Sequence, residues 1–574
     1  MPEKLHGIYR RLERLYGTER AGEVLSQIEA VTEKYRKKID FESYSLSERD
    51  MILITYGDQV VRIDEEPLVT LKRFLDAYTQ DVINTVHILP FYPYSSDDGF
   101  SVIDYKDVSP RMGSWEHIEA LAGTYRLMFD GVVNHISQYS YWFKSFLAGD
   151  PKYYDFFIDM DPAVDLSKVV RPRTLPLLHE YRDEEGKIHY IWTTFSKDQV
   201  DLNYKNPKVL LAVLDALLFY IEKGAKMIRL DAIAFVWKEP GTSCIHLPQT
   251  HDLIQLMREV LHQVSPELMI VTETNVPHEE NISYFGNGEN EAQMVYNFAL
   301  PPLLAHTMLK SDTSALRKWA QRLSLPSDKV CFFNFTASHD GCGLRPVSEL
   351  LSKEEVDDLV QAVQKRGGFV SYRATGSGEK SPYELNASYI DIVSDPDESN
   401  EIRAKKMLLT QAVALAMPGV PGIYFHSLVG SVSDFGAVKR TAVYRSINRE
   451  KVNFDILSEA LRTPGNLRAM IFRSYKKLLS VRRSEAVFHP FAAFFFPDFG
   501  DRVFAIKRVC KKSGESLLAL NNFSEKTISC NISNFVTFPA EELIGSENVT
   551  DDRIELAPYA TKWIKYREEK YENQ

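Results

Sequence analysis

"VLLAVLDALLFYIEKGAKMIRLDAIAF", residues 209–235, joins a helix to a strand and decides the fold class. Its first sixteen residues are long and apolar enough for a buried helix, and Gly224 stands where a C′ glycine closes one. "AKMIRL" follows at once as an apolar run of strand length, ending in Arg229 and then Asp231. A pleated strand repeats every two residues, so Arg229 and Asp231 share one face. A helix feeding directly into a buried strand is the repeating half of a βα unit.

The same unit recurs on both sides. Near-continuous apolar runs stand at 52–56, 82–89, 126–129, 226–230, 268–272, 294–298, 330–335 and 420–425, with helical stretches between most of them. Eight such runs predict an α/β protein of the (β/α)₈ TIM barrel type over residues 51–491. Two connections are too long for simple loops, at 136–202 after strand three and 341–398 after strand seven, and are read as insertions. Residues 1–50 carry two amphipathic patterns, "LHGIYRRLERLYG" and "AGEVLSQIEAVTEKYRKK", and predict an N-terminal helical extension. From 492 to 574 the pattern turns to period two with turn residues in "KKSGES" and "NNFSEK", predicting a C-terminal antiparallel β domain.

Composition narrows the function classes. A formal net charge of −11 offers no basic face for a phosphate backbone, so nucleic acid is excluded as a partner. The most apolar window, "MLLTQAVALAMPGVPGIYF" at 407–425, is broken by Gln411, Pro418 and Pro421 and reads as core helix and strand, not a membrane span. The charged N-terminus has no stretch like a signal peptide, and a cytoplasmic location is expected. The five cysteines are scattered without metal-ligand spacing and are expected as buried reduced thiols, so neither a metal nor another cofactor is expected. Small molecules are the expected partners, and a homodimer is left open.

In a barrel the C-terminal strand ends converge on one pocket. Here they present Asp97 and Phe100 after strand two, Asp130, Asn134 and His135 after three, and Arg229 and Asp231 after four. Glu273 follows strand five, and His339 and Asp340 follow strand seven. An isolated aspartate in such a place is ordinarily an N-cap, and an isolated arginine its ion-pair partner. Five carboxylates, two histidines and an arginine at the same end of one barrel are more polarity than a structural core carries.

The segments "DGVVNH" (130–135), "IRLDA" (228–232), "TETN" (272–275) and "SHD" (338–340) resemble the α-amylase superfamily. The resemblance implies Asp231 as nucleophile, Glu273 as general acid/base and Asp340 as transition-state stabiliser. It also implies His135 and His339 as sugar contacts, with Asp97 and Arg445 closing a glucose pocket beside Phe100. Retention needs one ionised and one protonated carboxyl group about 5–5.5 Å apart. Arg229 is expected to keep Asp231 ionised, while Glu273 holds a raised pKa.

Within the superfamily, "HILPFYPYSSDDGFSVIDY" (87–105), "RPRTLPLL" (171–178) and "MPGVPGIYF" (417–425) resemble the sucrose phosphorylase branch, which passes the glucosyl group to phosphate. Arg173 then corresponds to a phosphate-contacting arginine. Asn275, Phe235 and Glu384 replace the histidine, tyrosine and glutamine of sucrose phosphorylases. "WKEPGTSCIHL" (237–247) and "SPYELN" (381–386) are similar instead to the glucosylglycerate phosphorylase group. The acceptor is then D-glycerate, with Arg345, Tyr383 and Glu384 expected around it and inorganic phosphate as co-substrate. Phosphorolysis of sucrose or sucrose 6′-phosphate, and hydrolysis as an α-glucosidase, are the alternatives.

Overall fold

Eight short strands close into a parallel barrel in a computed structural model that describes residues 3–39, 44–374 and 380–567. They are β1 (Ile52–Thr55), β2 (Thr85–Ile88), β3 (Arg126–Gly131), β4 (Ala225–Leu230), β5 (Met269–Thr272), β6 (Met294–Tyr296), β7 (Cys331–Phe335) and β8 (Val420–Tyr424). Each pairs with its neighbour in sequence, and β8 returns to β1 at Ile52↔Gly422, which leaves no open edge. All eight expected runs become barrel strands, because apolar residues are wanted on both faces when helices cover the outside and side chains fill the inside.

Four helices bear on the site. α1 (Glu3–Tyr16) and α2 (Thr18–Arg36) form the N-terminal pair, while α3 (Pro207–Glu222) and α4 (Pro248–His262) precede β4 and β5. The start of α3 is fixed by Pro207 at its first position and by the Asn206 side chain, which accepts from the Lys208 N–H. Its end is released by Gly224 at φ 100°, a left-handed turn that leads into β4. α1 packs on α4 and α2 on α3, burying Ile8, Leu12, Val24 and Ile28. Arg11 pairs with Glu259 at 2.7 Å, Lys34 with Asp215 at 2.8 Å, and Arg14 with Asp252. The extension therefore clasps the barrel of its own chain.

Both long connections are structured. The first carries an antiparallel hairpin (Leu178–Arg182 with Ile188–Trp192), and its end, Gln199–Asp201, pairs back onto His135–Ser137. The second carries helix Lys353–Lys365 and the hairpin Phe369–Ala374 with Lys380–Asn386. Within that hairpin Ser371 opposes Glu384 and Tyr372 opposes Pro382, so Tyr383 is the extra residue of a β-bulge. Beyond the barrel lies a six-stranded antiparallel sheet, fastened where Arg508 donates to the carbonyls of Ala416 and Met417. Of the expected extension, second insertion and C-terminal region, residues 1–2, 40–43, 375–379 and 568–574 lie outside the described residues. No helix among the described residues is long and apolar enough to cross a membrane, and all five cysteines are buried and unpaired.

Candidate active site

The pocket forms where the ladder of β3, β4 and β5 runs out. Asp130 and Arg229 are register partners on β3 and β4, so both side chains project inward side by side. One nitrogen of Arg229, Nη1, serves both the Asp130 carboxylate and Asp231 Oδ1, the latter at 2.9 Å. Its other terminal nitrogen lies 3.8 Å from Glu273 Oε2. The chain leaves Asp231 through Ala232 in the left-handed region, φ 49°, and this turn aims the Ala232 N–H at Glu273 Oε2, 3.0 Å away.

Burial pushes both the Asp231 and the Glu273 carboxyl up to about 7. Arg229 opposes the rise at both, and the mutual repulsion of the carboxylates adds to it. The guanidinium favours the charged form of Asp231, but it is shared with Asp130, so its hold on Asp231 is partial. The two groups titrate as a pair that retains one proton near neutrality. The hydrogen bond from Arg229 to Asp231, against 3.8 Å to Glu273, favours the charged form at Asp231, while the Ala232 N–H offsets part of the difference at Glu273. Asp340 behaves differently: burial disfavours its charge, but the Arg445 and Arg449 guanidiniums outweigh burial and hold it well below the usual carboxylate range.

A pocket opens above these groups. Asp231, Glu273 and Asp340 line it, together with Asp97, Phe100, His135, His339, Arg173, Tyr383 and Arg445. His339 stacks on Phe100, centroids 4.6 Å apart and planes within 5°, and burial holds it neutral. His135 Nε2 is 2.9 Å from the Phe100 carbonyl and Nδ1 is 3.2 Å from Asn134 Nδ2, so a sugar hydroxyl reaches this ring only by sharing a nitrogen. The Arg173 guanidinium lies 5.5 Å over the Tyr383 ring, and among the described residues no carboxylate pairs with it.

Asp97 and Arg445 both line the cavity; Arg445 meets Asp340 Oδ1 at 2.5 Å, while Arg449 reaches Asp97 at 3.5 Å and Asp98 at 2.7 Å. Two expected contacts are placed differently. Glu384 is 1% exposed, does not line the cavity, and gives both oxygens to Arg445 Nη2 and Nε at 2.8 and 3.0 Å. Arg345 also stays out of the lining and lies 3.5 Å from Glu280. Asn275, Phe195 and Gln199 line the cavity without having been anticipated as contacts. Asn275 fits because Gly343 has no side chain: a Cβ there would stand 2.7 Å from the carboxamide. Lys238 is a further buried cation, 2.6 Å from Asp201 Oδ2 and 2.7 Å from Asn134 Oδ1, tying the loop after β4 to the first insertion. Among the described residues no group of three or more His, Cys, Asp or Glu could hold a metal ion.

The chain is 46% identical over 523 residues to the glucosylglycerate phosphorylase of Spirochaeta thermophila, covering 90% of this chain and 89% of that one. The glucosylglycerate phosphorylase of Escherichia coli is 44% identical, with 90% and 92% covered. The crystal structure of sucrose 6F-phosphate phosphorylase from Thermoanaerobacter thermosaccharolyticum superposes with a TM-score of 0.74 at 25% identity, covering 89% of this chain and 98% of that one. The family description "Alpha amylase, catalytic domain" matches residues 77–341, the stretch from α3's predecessors in the barrel to just past Asp340. Barrel, carboxylate cluster and full-length likeness agree: the chain belongs to the α-amylase family, in the group of the glucosylglycerate phosphorylases.

Proposed function

We propose that the protein is a retaining phosphorylase that converts 2-O-α-D-glucosyl-D-glycerate and phosphate into α-D-glucose 1-phosphate and D-glycerate. The observation that carries this reading is the likeness over 90% of the chain to two glucosylglycerate phosphorylases, on a chain whose pocket sets two carboxyl groups, Asp231 and Glu273, against one arginine. In the first displacement Asp231 attacks the anomeric carbon, the bond to the glycerate oxygen breaks, and Glu273 gives that oxygen its proton. Asp340, ionised at neutral pH, faces the positive charge that develops on the ring. In the second displacement a phosphate oxygen attacks the same carbon, Asp231 leaves, and Glu273 takes a proton back from phosphate.

Arg173 is the cation best placed to receive phosphate, since it lines the cavity and no described carboxylate claims it. Phosphate is a substrate, and the reading calls for no cofactor. Five buried free thiols fit a reducing, cytoplasmic setting. The test is phosphate-dependent release of glucose 1-phosphate from glucosylglycerate, sucrose, sucrose 6′-phosphate and glucosylglycerol. The highest kcat/KM is expected with glucosylglycerate; a higher value with sucrose overturns the acceptor, and equal glucose release without phosphate overturns the phosphorylase.

A further inference from the structure

Each arginine that touches a catalytic carboxylate also holds a second carboxylate. Arg229 sits between Asp231 and the fully buried Asp130. Arg449, 4.0 Å from Asp340, is held by Asp98 at 2.7 Å. Arg445, 2.5 Å from Asp340, is gripped fork-to-fork by Glu384. A bare guanidinium this close would cancel the charge a reacting carboxylate must present to a positively charged transition state.

Glu384 is the clearest of the three because both its oxygens pair with Arg445. It sits behind the cavity wall, and the backbone is shaped around it: strand Cys342–Gly343 pairs with Leu385 and Glu384, and a Cβ on Gly341 would lie 2.5 Å from Glu384 Cγ. Glycine beside Asp340 thus lets a buried carboxylate press up behind it. Burying such a group is costly unless it is paired, and its pairing is spent entirely on Arg445.

We propose that Glu384 is a positioning residue that fixes Arg445 and offsets its charge, so that the negative field of the ionised Asp340 still reaches the glucosyl ring. This rests on the retaining glucosyl transfer proposed above, but not on the identity of the acceptor. Glu384 therefore serves every donor alike.

The experiment is steady-state kinetics of full-length Glu384→Gln on glucosylglycerate, sucrose and p-nitrophenyl α-glucoside, three donors that share a glucosyl group and differ in leaving group. The expected result is a kcat lower by about 10–100-fold on all three, by similar factors, with KM moved less than about threefold. A loss confined to glucosylglycerate makes Glu384 an acceptor contact and overturns the proposal. So does a shared rise in KM at constant kcat, or unchanged kinetics. Arg445→Lys, which keeps a cation near Asp340 but cannot grip both Glu384 oxygens, is the second variant, and the same donor-independent fall in kcat is expected. Wild-type protein preferring sucrose would sink the acceptor assignment while leaving this test intact.

Discussion

Replacing Glu273 by glutamine is expected to abolish glucosyl transfer from donors with poor leaving groups and, above neutral pH, to stabilise the protein. Burial lifts this carboxyl from its ordinary 4.5 to about 7. The folded chain therefore binds the proton more tightly than the unfolded chain, and stability falls as pH rises from about 4.5 through 7. At about 1.4 kcal/mol for each pH unit the loss reaches about 3 kcal/mol, on a side chain only 12% exposed. Repulsion from Asp231 and Asp340 contributes to that figure, which makes it a ceiling. Glutamine keeps the volume and an oxygen for the Ala232 N–H, but it carries no charge at any pH. With an unfolding entropy of about 2.1 cal/mol/K per residue, 3 kcal/mol over the whole chain corresponds to about 2–3 °C. Differential scanning fluorimetry should show the variant melting about 2–3 °C above wild type at pH 8 and level with it at pH 5. An equal difference at both pH values, or a lower Tm at pH 8, would refute the reasoning.

Arg173→Ala should raise the KM for phosphate about 10–100-fold, the worth of a charge-assisted hydrogen bond or two, and initial rates across a phosphate series will show it. Lys238→Met strands the buried Asp201 carboxylate and should cost about 3–5 kcal/mol in urea unfolding; an unchanged midpoint would mean that the pair does not hold the insertion. Gly343→Ala places a methyl 2.7 Å from the Asn275 carboxamide, so it should alter kcat/KM between glucosylglycerate and sucrose while leaving p-nitrophenyl glucoside within about twofold.

The barrel was legible because one local rule repeats: α3, Gly224 and the apolar run into Arg229 spell out a βα unit without tertiary help. Asp231, Glu273 and Asp340 follow from it, since all leave the same ends of parallel strands. What failed were contacts that depend on rotation about an element. Arg345 opens one short helical turn, Arg345–Val347, and how that turn docks sends it to Glu280 and not into the cavity. Tyr383 and Glu384 were both expected at the acceptor, yet only Tyr383 lines the cavity. Tyr383 is the extra residue of a β-bulge, where strict alternation breaks, and the period-two pattern carries no signal for that. Phe195 and Gln199 carry no signal of their own, because they arrive through the long-range pairing of 199–201 with 135–137. The raised Asp231 was hidden because a neighbouring arginine is visible in sequence, whereas burial and a rival carboxylate are not.

The clasp of α1 and α2 has a consequence for assembly in the cell. The pair is translated some 200 residues before its docking surface is complete, since Asp252 and Glu259 belong to α4. At synthesis rates of about 5–20 residues per second, that interval is roughly 10–40 s. Until α3 and then α4 are made, α2 and α1 in turn lack the helices on which they dock. The helices buttressing the nucleophile and acid/base strands are thus locked by a part of the chain that waits for them, and the extension reports to the growing barrel that its fifth unit has arrived.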